Sequence, residues 1–342
     1  MEDGKTAYYG DYLQLGRLLS CQNLESDRVG RHAHDEMIFI TVHQTYELWF
    51  KQILYELDAL QAAFGGPVLD DRAMTPVIRG LERIREILRL LVRQIVVLET
   101  MTPLDFLDFR DLLSPASGFQ SWQFRLIEMR LGLPASQRVR YDGKGFDARL
   151  SEDDRNKLAE ADERPTLVAQ LDAWLQRIPF LSHEGWSFEG AYREAVRGQI
   201  EADAATVAAN RTLDAAQRES QLKRLEREIA RFDALFDEAA YEALRRDGQW
   251  HMSRRALQAA HLITLYRDEP VLQHPFRLLS VLMDIDEELT TWRYRHALMV
   301  QRMIGSRIGT GGSSGHDYLR ATATQHQIFG DLFALSTFLI AR

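Results

Sequence analysis

Apolar residues recur at steps of three and four through most of this 342-residue chain, and no run of alternating β-branched residues bounded by hairpin turns interrupts them. That periodicity is the pattern of helices with one buried face, and it predicts an all-α fold with helices over about 11–22, 34–63, 72–100, 103–114, 119–131, 151–160, 165–177, 188–246, 252–265, 276–304 and 317–336. Two of the predicted faces carry a histidine. In HDEMIFITVHQTYELWFKQ, residues 34–52 and the turn beyond, Phe39, His43, Tyr46, Phe50, Ile53 and Leu57 fall on one stripe. In VLMDIDEELTTWRYRHALMVQRMIG the stripe is Leu282, Ile285, Leu289, Trp292, His296, Met299 and Met303, with Asp284, Glu287, Glu288, Arg293 and Arg295 elsewhere around the helix.

A single histidine on a core face is ordinarily a hydrogen-bonded structural residue. Two long helices that each carry one admit three readings: two structural residues, two metal ligands, or one ligand and one catalytic group facing a shared cavity. His43 and Glu47, four apart, would suit a metal pair, but no carboxylate stands one turn from His296. Trp, Leu and Met surround His296 instead, a setting that suits a flat apolar cofactor held by one imidazole, for which haem is the candidate.

Composition limits the partners. With 45% hydrophobic and 27% charged residues, the chain is long and apolar enough to enclose a cofactor. Its net charge of −8 argues against nucleic acid or an anionic membrane surface as partner. One cysteine, Cys21, can form no internal disulfide and suits a reducing cytoplasm. The acidic start MEDGKTAYYGDY has no signal-peptide character, and no stretch of about 20 apolar residues predicts a membrane span. Nine prolines and no Pro/Gly/Ser-rich linker favour a single domain over 1–342. Within it, about 133–250 differs in character, with charges alternating along RLEREIARFDALFDEAAYEALRRDGQ, and is expected to form a peripheral helical insertion.

Two further segments carry chemistry. In TMTPLDFLDFRDLLSPASGFQSWQFRLIE, Thr102 as N-cap, Pro103 at the first helical position and Asp105 in the first turn define a helix start. Arg110 then sits beside Phe106 and Phe109, either paired with Asp108 or Asp111 or serving as a two-pronged clamp for a substrate carboxylate. RIGTGGSSG, residues 307–315, lacks the GK[ST] ending of a P-loop and reads as a flexible connector or as a loop that closes over a small polar ligand.

Taken in order, YYGDYLQLGRLLS, HDEMIFITVHQTYELWFKQILYELD, LETMTPLDFLDFRDLLSPASGFQSWQFR, SRRALQ, MDIDEELTTWRYRHALMVQRMIG, RIGTGGSSG and DLFALSTFLIAR closely resemble the tryptophan 2,3-dioxygenase family across nearly the whole chain. The resemblance implies a helical haem-binding domain in a cytoplasmic homotetramer that binds haem b and inserts both atoms of O₂ across the indole C2–C3 bond of L-tryptophan, giving N-formyl-L-kynurenine. It makes His296 the proximal iron ligand and His43 the distal, catalytic histidine that hydrogen-bonds the indole N–H. The substrate pocket it implies takes in Phe39, Ile40, Thr41, Val42 and Phe106 as walls, Arg110 as carboxylate clamp, Ser117 and Gly118 as a turn at the haem edge, and Thr310 on the ammonium and carboxylate. Tyr9, Tyr12 and Leu13 match residues that complete a neighbouring subunit's pocket.

Trp122, Thr41 and Ile308 depart from the family's pattern. These departures would reshape the pocket for a ring- or side-chain-substituted tryptophan and for insertion of a single oxygen, giving an oxindole-type product in a natural-product pathway, as the alternative outcome. A haem-based sensor or carrier without turnover is the non-enzymatic alternative.

Overall fold

The computed structural model describes residues 8–66, 69, 71–138, 150–183, 186–305, 307 and 315–340. Along the chain the helices are α1 (Tyr9–Tyr12), α2 (Leu15–Leu18), α3 (Glu25–Arg28), α4 (Glu36–Phe64), α5 (Asp71–Leu98), α6 (Pro103–Arg110), α7 (Trp122–Leu131) and α8 (Glu152–Asp162). Then follow α9 (Leu167–Leu175), α10 (Phe188–Ala209), α11 (Ala215–Ala234), α12 (Glu238–Arg246), α13 (Arg254–Leu265), α14 (Gln273–Ile304), α15 (Gly315–Gln325) and α16 (Gly330–Ala334). Beside the helices stands one two-residue antiparallel ladder pairing Ser182 with Ser187 and His183 with Trp186. The fold is all-α, as the periodicity implies.

Three long helices make the frame. α14 packs along α5 and α15, and α5 packs in turn along α4. Their inner faces meet in a core where Ile53, Leu57, Leu81, Ile84, Leu282 and Ile285 have no exposed surface. α4 is anchored at its start by the Glu36 carboxylate, which is buried and accepts the amides of Glu25 and Ser26 at 2.8 and 2.9 Å. α14 ends at Gly305, whose φ of +59° suits a residue without Cβ.

Several expected elements are divided. The stretch 11–22 holds two single-turn helices separated by Gln14 in the left-handed region (φ +52°), because its apolar residues Tyr9, Tyr12, Leu13 and Leu19 find no core to cover. The span 188–246 is three helices. The Asn210 Oδ1 accepts the Thr212 amide, Asp214 and Gln217 cap α11 reciprocally, and Asp237 caps α12, so local side-chain bonds stop each helix and restart the next. The last expected helix breaks at His326, where the amides of Ile328 and Phe329 turn to the buried carboxylate of Asp286, each at 2.9 Å. The section 133–250 sends Leu171, Trp174, Tyr192, Phe232, Tyr241 and Trp250 into the same apolar core as α4 and α5. No helix among the described residues is long and apolar enough to cross a membrane.

Candidate functional site

The upper half of the α4 stripe does not pack as its lower half does. Phe50, Ile53 and Leu57 are buried, whereas Phe39, His43 and Tyr46 are partly open and line a cavity of about 240 Å³ bounded by α4, α5, α6, α7, α14 and α15. The His43 ring surface is open to the cavity, although enough protein surrounds it that burial lowers its pKa. Its Nδ1 lies 2.7 Å from the Phe39 carbonyl, which can only accept. Nδ1 therefore carries the proton, and Nε2 is left as an acceptor.

Facing it is the α14 stripe. Leu282, Ile285 and Leu289 are buried in the core, and His296 with Trp292, Met299 and Met303 lines the cavity. Desolvation, and secondarily the neighbouring His43, pushes the His296 imidazole down to about 4, so it is neutral at physiological pH. Its Nδ1 is buried and has no hydrogen-bond partner among the described residues. The Trp292 ring lies 5.0 Å from that of His296, and its Nε1 donates to the Tyr46 hydroxyl at 3.4 Å. Tyr46 in turn donates to the Leu91 carbonyl, which fixes α4, α5 and α14 around one end of the cavity.

α6 begins as its sequence dictates. Thr102 accepts the Asp105 amide at 3.3 Å and Asp105 accepts the Thr102 amide at 2.8 Å, a reciprocal cap ahead of Pro103. Eight residues later Arg110 reaches the cavity wall beside Phe106, which stacks on Phe39 with ring centroids 5.7 Å apart. Asp111, one of the two suggested internal partners of Arg110, is instead held by Arg31 at 2.9 and 3.1 Å. The turn that follows is closed by its own side chains: Ser117 accepts the Phe119 amide and Gln120 accepts the Ser117 amide. Ser117 and Gly118 thereby line the cavity.

Of the residues singled out in the sequence, Phe39, Val42, His43, Phe106, Arg110, Ser117, Gly118 and His296 come together on this cavity. Ile40 and Thr41 belong to the same helix but are not among its lining residues. Tyr9, Tyr12 and Leu13 are exposed, at 71%, 76% and 41%, and reach no part of this chain's cavity. Thr310 and Ile308 lie outside the described residues. Trp122 packs away from the cavity, in a small cluster with Met129, Leu150 and Leu158 and under the Lys157 ammonium at 4.9 Å. It therefore cannot reshape the pocket by contact. No group of three His, Cys, Asp or Glu side chains among the described residues could hold a metal ion.

Two polar side chains named in the sequence have partners that it did not show. Glu47 lines the cavity one turn after His43 and accepts from Gln123 at 2.7 Å. Arg293, expected off the apolar stripe, is 1% exposed and bonded to Glu128. Periodicity could not reveal it, because a buried ion pair requires partners from distant elements.

With the cavity defined, the chain can be set beside known proteins. Residues 1–339 match the family Tryptophan 2,3-dioxygenase. The chain belongs to the tryptophan 2,3-dioxygenase family. It is 50% identical over 335 residues to the tryptophan 2,3-dioxygenase of Bdellovibrio bacteriovorus, covering 98% of this chain and 93% of that protein. Against the protein of the same name from Dictyostelium discoideum it is 45% identical over 339 residues, 99% of this chain and 85% of the relative. Against that of Rattus norvegicus it is 45% identical over 336 residues, with coverage of 98% and 82%. The family match spans every cavity-lining segment described above, from α4 to α15.

Proposed function

We propose that this chain is a haem-dependent enzyme that inserts both atoms of O₂ into L-tryptophan, opening the indole C2–C3 bond to give N-formyl-L-kynurenine. The observation that carries the reading is the pairing of His296 with His43 across one largely apolar cavity in a member of this family. His296 is the residue that would hold the haem iron. It is neutral, and among the described residues its buried Nδ1 has no acceptor. Phe39, Phe106, Trp292 and Met299 supply the apolar walls that a flat macrocycle and an indole ring require. Haem b, when bound, supplies the oxygen chemistry, which no side chain here provides.

The protein's own contribution is orientation. Nε2 of His43 accepts the indole N–H, because its tautomer is fixed by the Phe39 carbonyl. Arg110 grips the substrate carboxylate with two parallel donors, and Thr310 adds contacts to the ammonium and carboxylate. Phe39 and Phe106 hold the ring between them, with Ile40, Thr41 and Val42 supporting that stretch of α4. Ser117 and Gly118, which line the cavity, would border the edge of a bound haem. Holding the charged end at one point and the N–H at another defines which ring carbons meet O₂. The exposed aromatic residues Tyr9 and Tyr12, with Leu13, cover the pocket of a neighbouring subunit in a cytoplasmic homotetramer.

Haem titration tests the cofactor assignment. The wild-type apoprotein should take up one haem per chain with a Soret band, and L-tryptophan should perturb the ferrous spectrum. His296→Ala should lose stoichiometric uptake while keeping its helicity. A full, unchanged Soret band in that variant would refute the ligand assignment, and a wild-type spectrum indifferent to tryptophan would point to a sensor or carrier.

A further inference from the structure

One carboxylate stands at the junction of three cavity-lining helices. Glu128 on α7 is 1% exposed and accepts from Arg293 Nη2 of α14 at 2.8 Å, from Arg125 Nη1 of its own helix at 3.2 Å, and from His326 Nδ1 beyond α15 at 3.2 Å. Burial alone would raise its pKa, but the His326 bond and the two guanidinium charges outweigh that and hold it well below the usual carboxylate range. At neutral pH the group is a buried anion.

Two separate arms leave this junction. The first runs through Arg293, one turn before His296, whose other amino group donates to the His326 carbonyl at 3.1 Å and locks that part of α14 to the end of α15. The second runs through Arg125, whose other amino group donates to the Tyr318 hydroxyl at 3.3 Å. Tyr318 packs with Ala297 and Leu319 and meets Phe119 edge-on at 5.1 Å, and Phe119 is the residue after Gly118 in the cavity turn. A guanidinium engages its partners in a fixed plane, so each arm constrains direction as well as distance. A buried charge stripped of a partner costs several times what an apolar contact does, so the junction tolerates only one arrangement.

We propose that Glu128 is a positioning residue that sets two walls of the site independently: the His296 turn through Arg293, and the Ser117–Phe119 turn through Arg125 and Tyr318. This rests on the haem and tryptophan reading of the cavity. It predicts that the two arms can be loosened one at a time, with different consequences.

Glu128→Gln is the direct variant, but loss of the central charge endangers folding, so the arms themselves are the test. Tyr318→Phe keeps the ring against Phe119 and removes only the hydroxyl. It should raise the KM for L-tryptophan roughly 2- to 10-fold, the value of one hydrogen bond, with haem content and the substrate-free ferrous spectrum unchanged. Arg293→Lys keeps the charge and loses the fork. It should weaken haem retention and shift the iron–histidine vibration in the ferrous resonance Raman spectrum, with a smaller change in KM. An unaltered KM in Tyr318→Phe would overturn the proposal. So would parallel loss of haem, KM and melting temperature in both variants, which is what an ordinary packing residue gives. A wild-type protein that takes up no haem would overturn the underlying reading, and the proposal with it, before any variant is compared.

Discussion

His43 and His296 face one cavity, and their Nδ1 atoms are placed differently. Burial lowers both, but His43 spends its Nδ1 proton on its own helix, whereas the Nδ1 of His296 is sealed in the wall. One is thereby a directed acceptor; on the proposed reading the other serves as a ligand whose basicity no carboxylate among the described residues raises. Arg110 supplies the missing charge. Replacing it with Ala should cost tryptophan capture about 2–4 kcal/mol, as expected when one member of a desolvated charge pair is removed. Tryptamine lacks the carboxylate and should lose almost nothing. Steady-state kinetics on both substrates checks this, and an equal loss on both would make Arg110 structural. At this scale the sequence exposed the histidines, because apolar neighbours at helical spacing isolate them. It could not show that Arg293 pairs with Glu128 or Glu47 with Gln123, because those partners lie more than 70 positions away.

Among the elements, α6 shows how a local signal fixes a functional position. Thr102, Pro103 and Asp105 set its first turn, and eight helical residues then deliver Arg110 to the wall. Thr102→Ala should lower stability by about 1 kcal/mol through loss of the cap, with a modest rise in KM as Arg110 loses its fixed base. Denaturant unfolding and kinetics on the same preparation would measure both; an unchanged midpoint would mean that tertiary packing alone holds α6. The long helices α4, α5 and α14 were legible from their stripes. The breaks inside 188–246 were signalled by Asn210, Asp214 and Asp237, but the charge pattern on either side runs through them with the same period and hides them. Trp122 teaches the opposite lesson. One turn of helix decides whether a side chain faces the cavity or α8, and a departure in sequence says nothing of which.

At the scale of the whole molecule, the buried histidines make stability depend on pH. His261, between Tyr192 and Phe338 in the core, is pushed down to about 4 by burial, as is His296. In the unfolded chain both titrate near 6.5. Between 6.5 and 4 the unfolded state therefore binds more protons, and folding stability falls as the pH falls. His251, raised by Asp331, acts in the opposite sense and offsets part of this. The apoprotein should lose on the order of 3 kcal/mol between pH 7 and pH 5, and His261→Phe should show about half that slope. Urea unfolding at the two pH values decides it, and a pH-independent midpoint would mean that neither histidine is buried neutral. The same architecture carries the central claim, that one cavity holds haem and tryptophan so that both oxygen atoms reach the indole ring. Turnover of L-tryptophan under ¹⁸O₂ with mass analysis of the product measures it most directly. The account predicts a ring-opened N-formyl product carrying two labelled atoms; a ring-intact oxindole carrying one would contradict it.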